Sequence, residues 1–103
     1  MQGTIWHPKN LKAPLVTGEA QVVEWTKAPP GASRYRVVFT TQGVPDNDLA
    51  QHKFETLYLV LDDGRQAKVR VQYVSTLPTG IISTLQVLGD WEDNLVPTAK
   101  QAA

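Results

Sequence analysis

Asp62-Asp63-Gly64 joins two runs of strand-forming residues, Phe54 to Leu61 and Arg65 to Val74. Asp-Gly between two β-rich segments is the strongest short-range hairpin signal a sequence offers. It directs the chain toward an all-β fold and leaves activity open, because no catalytic motif stands beside it.

The turn admits two registers that bury different residues. With Asp63-Gly64 as a two-residue loop, Val60 faces Ala67, Tyr58 faces Val69 and Phe54 faces Tyr73, which sets Leu57, Leu59 and Leu61 opposite Arg70, Lys68 and Gln66. With Asp62-Asp63-Gly64 as a three-residue loop ending in a left-handed glycine, Leu61 faces Arg65, Leu59 faces Ala67 and Leu57 faces Val69. The other face then pairs Tyr58 with Lys68, Thr56 with Arg70 and Phe54 with Gln72. A one-residue slip exchanges whole faces, and patterning favours the second register, which sets aliphatics on aliphatics. Gly64 takes positive φ either way.

Around this hairpin the alternation continues. Gly18 to Lys27 reads as a strand with Gln21, Val23 and Trp25 in phase, ended by Ala28-Pro29-Pro30-Gly31, and Trp25 is expected in the core. From Ser33 a second strand sets Tyr35, Val37 and Phe39 on one face and Arg34, Arg36, Val38 and Thr40 on the other. Pro45 to Lys53 is the one helix-compatible stretch, with Asp46 or Asn47 as N-cap. Ile81 to Gly89 is a fifth strand. Residues 1–16, with Pro8 and Pro14, read as an extended arm tethered by Trp6 and Leu11; 17–93 form the domain and 94–103 a fraying tail. Five strands with short loops suit a small closed or nearly closed barrel, OB-like or SH3-like by element count, since closure removes exposed edges.

At 103 residues with 10 basic and 10 acidic side chains, the chain is one neutral domain, and only a local patch could attract nucleic acid. The absence of cysteine excludes disulfides and thiolate metal sites and fits a reducing cytoplasm. The N-terminal residues lack the basic and apolar regions of a signal peptide, and no apolar run approaches a membrane-spanning helix.

Arg34, Arg36, Lys68 and Arg70 alternate on two predicted strands with Tyr58 nearby, a combination able to hold phosphates and stack bases. Solvent-facing strands carry the same cations for solubility alone. Trp91, between Asp90 and Glu92, is either a recognition residue or a cap on the barrel's open end. Asp46, Asp48, His52 and Glu55 are the densest group of potential ligands, but the spacing fails the EF-hand pattern, and His7 beside Trp6 and Pro8 reads as packing. Ser33, Ser75 and Ser83 lack a nucleophile setting. No cofactor and no metal are expected. The sequence therefore predicts a non-enzymatic binding or assembly module for a protein partner or itself, with single-stranded nucleic acid as the alternative, through Arg34, Arg36, Tyr58, Lys68, Arg70 and Trp91.

Overall fold

The computed structural model describes residues 1–42 and 49–97. Its strands are β1 (Gln2–Trp6), β2 (Val16–Glu24), β3 (Tyr35–Gln42), β4 (Thr56–Leu61), β5 (Gln66–Leu77) and β6 (Gly80–Glu92), with a 3-10 turn at Leu49–His52 between β3 and β4. They close into an antiparallel barrel in the order β1-β2-β3-β6-β5-β4, with β4 returning to β1. Among the described residues, no helix is long and apolar enough to cross a membrane.

The all-β class is as expected, but the barrel has six strands rather than five. The added one, β1, comes from the stretch expected to be an arm. It is only 5 residues long and its partners are remote, Gly3 to Ile5 lying opposite Gly18 to Val16 on one side and Leu61 to Leu59 on the other. So short a segment carries little alternation of its own, yet it supplies the pairing that removes both sheet edges.

The hairpin adopts the three-residue loop. Leu57 pairs with Val69, Leu59 with Ala67 and Tyr58 with Lys68; the Gly64 N–H donates to the Leu61 carbonyl at 3.0 Å, and Gly64 has φ 97. Pairing ends at Thr56 opposite Arg70, so Phe54 does not reach Gln72. The leucines of β4 join Val37, Phe39, Val69, Val71, Leu85 and Val87 in one core. Gly18 makes room for the Phe39 ring: a Cβ there would lie 3.0 Å from Phe39 Cε1 and 2.4 Å from the Thr40 carbonyl oxygen. The inward phase of β2 is thus set by small residues, Gly18 and Ala20, followed by Val22.

That phase corrects the expectation for Trp25. It and Val23 point outward, each 48 % exposed, while Val22 packs against the core. A β-bulge between Val71 and Tyr73 shifts the pairing of β5 by one residue and turns Tyr73 out to 67 % exposure. At the C-terminal end, Val96 is fully buried rather than part of a fraying tail. Asp46 and Asn47, expected to cap a helix, lie outside the described residues; so does Asp48.

Candidate functional site

The outer wall of the barrel brings the predicted cations together. Thr56, Arg70, Gln86, Arg36 and Val23 are successive lateral partners across β4, β5, β6, β3 and β2. Arg70 and Arg36 thus flank Gln86 from two strands, about 10 Å apart at the backbone by the usual strand spacing. Gln86 also accepts a hydrogen bond from Gln72 Nε2 at 3.1 Å. One pleat along, Tyr58, Lys68 and Leu88 form a parallel row. Arg34 sits two residues before Arg36 on the same strand line, its carbonyl accepting the Trp25 N–H at 2.7 Å.

The four cations differ in what they face. Arg34 reaches Glu24 at 3.4 Å and lies over the Tyr35 ring at 5.8 Å. Arg36, Lys68 and Arg70 are exposed and have no ion-pair partner among the described residues. Exposed Val23 on β2 and Trp25 just after it border this group, and Tyr73 stands opposite Thr84 on the neighbouring strand pair. The face therefore combines unneutralised positive charge with apolar and aromatic surface.

Trp91 is placed elsewhere. Its ring lies 5.3 Å from that of Tyr35 and 4.7 Å from the Arg65 guanidinium, and it packs against the core. Acids gather toward this end. Gln66 pairs with Glu92, the Gln2 N–H donates to Asp62 at 3.1 Å, and Arg65 holds Asp63 at 2.8 Å. Burial raises the Asp63 pKa, but the backbone and side-chain bonds from Arg65 outweigh it and leave the carboxyl below its usual range. Asp62, Glu92 and Asp93 have no cationic partner among the described residues.

A second cluster lies where β1 ends. Pairing of Trp6 with Tyr58 sets His7 beside the segment leading into β4. There, buried Leu49 anchors the 3-10 turn, and the Glu55 N–H donates to the His52 carbonyl at 3.1 Å. Between them Phe54 takes φ 72 while 85 % exposed. The left-handed region costs a non-glycine residue roughly 1–2 kcal/mol, and that conformation carries the chain round so that Glu55 meets both histidines. Glu55 Oε2 lies 2.5 Å from His52 Nδ1, Oε1 lies 3.8 Å from His7 Nε2, and the two rings meet edge to face at 5.8 Å. The His52 hydrogen bond holds the Glu55 carboxyl below its usual range against desolvation, with a smaller electrostatic pull from the two imidazoles.

Sequence reasoning grouped His52 and Glu55 with Asp46 and Asp48 and set His7 aside; the structure brings His7 to the pair, and the two aspartates lie outside the described residues. Nothing local signals the meeting, because it depends on β1 pairing with β4. Among the serines, Ser33 Oγ donates to the Val87 carbonyl at 2.5 Å, and Ser83 is buried in the wall. An open concavity of about 600 Å³ at the end of β3, β5 and β6 is lined, among the described residues, by Thr40, Thr41, Gln42, Leu77, Thr79, Gly80 and Ile82. No protein family, curated protein or solved structure matches this chain.

Proposed function

We propose that this protein is a non-enzymatic binding module of the cytoplasm that engages an acidic protein surface, a partner's or a second copy's, through the outer face of β2, β3, β6 and β5. The observation that carries the reading is the placement of Arg36 and Arg70 on either side of Gln86, without carboxylate partners among the described residues and beside exposed Val23, Trp25 and Tyr73. Unpaired cations next to apolar and aromatic side chains supply both the steering and the buried contacts of a protein interface. The uncompensated acids Asp62, Glu92 and Asp93 give a second copy a complementary surface, and the zero net charge of the chain removes long-range repulsion between copies.

A second reading, single-stranded nucleic acid, draws on Trp25, Tyr58 and Tyr73 around the same cations, since rings that stack and cations that hold phosphate are what such a strand requires. Light scattering over a concentration series tests self-association. Fluorescence anisotropy with a labelled Glu- and Phe-containing peptide, and with an oligonucleotide of equal charge, tests the other partners at low and physiological salt. Self-association or peptide binding that is lost in Arg36→Glu/Arg70→Glu, with cooperative unfolding retained, supports the protein reading. Oligonucleotide binding that falls steeply with salt supports the second. Indifference of every probe to the charge reversal overturns both.

A further inference from the structure

We propose that His7, His52 and Glu55 form a binding site for a divalent transition metal of the zinc class. This inference does not rest on the basic face. Two imidazoles and one carboxylate are a donor set suited to zinc and its neighbours and poorly suited to calcium or magnesium, which take oxygen ligands.

The geometry is close to what such an ion requires. One donor atom from each of the three residues can be chosen so that all lie within 4.8 Å of one another. Donors at about 2.0–2.2 Å from a tetrahedral zinc stand roughly 3.4 Å apart. The closest approaches, 2.5 Å from His52 Nδ1 to Glu55 Oε2 and 3.8 Å from His7 Nε2 to the other carboxylate oxygen, Oε1, lie on either side of that distance. The histidines are 24 % and 21 % exposed and Glu55 is 48 % exposed, so the cluster is half open. Three protein ligands leave a fourth position for water or for a donor from another molecule.

Its framework is rigid on one side and adjustable on the other. His7 follows a strand locked into the barrel, whereas Glu55 enters on a turn held by Leu49 and by the left-handed Phe54. A bound ion would tie the end of β1 to the entrance of β4, two points far apart in sequence. Binding also has a specific proton consequence. The Lys9 N–H donates to His7 Nδ1 at 3.1 Å, so the neutral ring carries its proton on Nε2, facing Glu55. Coordination through Nε2 transfers that proton to Nδ1 and opens the Lys9 contact, which makes the Lys9 amide a reporter of metal binding.

Zn²⁺ titrated into the full chain by calorimetry, with Co²⁺ absorption reporting coordination geometry, tests the site. One equivalent is expected to bind saturably, with a tetrahedral Co²⁺ spectrum and a shifted Lys9 amide resonance. His7→Gln, His52→Gln and Glu55→Gln each weaken binding by tenfold or more, whereas Asp90→Asn leaves it unchanged. Unsaturable binding, or an affinity indifferent to His7→Gln, overturns the proposal. Should a histidine variant fail to fold, Co²⁺-induced shifts of the ring protons of His7 and His52 in the unaltered protein decide the matter: shifts at both support the site, and a shift at one or neither overturns it.

Discussion

Gln66 grips the backbone of Val96 from both sides: the Val96 N–H donates to Gln66 Oε1 at 2.9 Å, and Gln66 Nε2 donates to the Val96 carbonyl at 3.5 Å. Both residues are buried, so neither group can turn to water instead. The bulge between Gln66 and Lys68 sets Gln66 and Ala67 both inward, against the alternation of β5. An amide side chain at this position satisfies the backbone of a segment that has no strand partner.

Replacing Gln66 by Leu keeps the volume and leaves the Val96 N–H and carbonyl without partners. We expect a loss of about 1–3 kcal/mol in urea unfolding. Release of the C-terminal segment should also appear as faster proteolysis near Val96 while the barrel persists. Unchanged stability and unchanged cleavage would show that the clasp contributes nothing.

A methyl group at position 18 has nowhere to go. In Gly18→Ala the added Cβ meets the Thr40 carbonyl oxygen and the Phe39 ring, so β2 must shift against β3. Overpacking of this kind costs about 1–3 kcal/mol. The paired variant Gly18→Ala/Phe39→Leu frees the ring's space but not the carbonyl's, and is expected to recover none of the loss beyond additivity. Recovery in a double-mutant cycle would assign the constraint to the ring instead.

The charge of Asp63 contributes to the hairpin turn at neutral pH. Asp63→Asn keeps an acceptor for the Arg65 N–H, now at 3.0 Å, and removes the ionic bond to its guanidinium. Because the folded carboxyl titrates below its unfolded value, its contribution is present above the unfolded pKa and is lost as pH falls through the folded one. The wild-type advantage over Asp63→Asn should therefore be present at neutral pH and vanish in acid. A pH-independent difference between the two melting curves would contradict this origin.

What could be read in advance divides along sequence distance. The hairpin register was legible because Leu57, Leu59, Val69 and the Asp-Gly turn are neighbours whose pattern penalises the wrong pairing. The inner face of β3 was legible for the same reason. The closing strand β1 was not, since Gly3 and Ile5 acquire meaning only opposite Leu61 and Leu59. Trp25 was assigned to the core by its phase with Val23, yet the phase of β2 is decided by its neighbour β3: at Gly18 the Thr40 carbonyl, with the Phe39 ring behind it, leaves no space for a Cβ. Tyr73 shares sequence parity with Val69 and Val71, and a bulge with no local signature turns it outward. Trp25 and Tyr73, with Val23, give the basic face its apolar component. Likewise, Arg36 and Arg70 were identified as basic, but that they share Gln86 follows from β6 lying between their strands.

Trp25 offers a direct check on that account. With its ring 48 % exposed, Trp25→Ser should change stability by no more than about 0.5 kcal/mol. A core tryptophan of the kind its phase with Val23 predicts would cost about 3–5 kcal/mol on truncation. Denaturant unfolding separates these outcomes. Loss of partner binding in a variant that remains fully folded would in addition place Trp25 in the interface.

Phe54 supplies a prediction of opposite sign. Most substitutions destabilise, but Phe54 is left-handed and 85 % exposed, so its ring has little burial to lose and its backbone has strain to relieve. Phe54→Gly removes the Cβ penalty of roughly 1–2 kcal/mol. It also frees the unfolded chain, an opposing effect of about 0.4–1 kcal/mol. The net expectation is a gain of a few tenths to about 1 kcal/mol, read as a higher denaturant midpoint at unchanged slope. Phe54→Ala relieves no strain and should gain nothing. If glycine instead lowers the midpoint, the ring is stabilising the approach of Glu55 to His52 and His7 by contacts its exposure does not reveal, and the strained turn is a less independent element than its geometry implies.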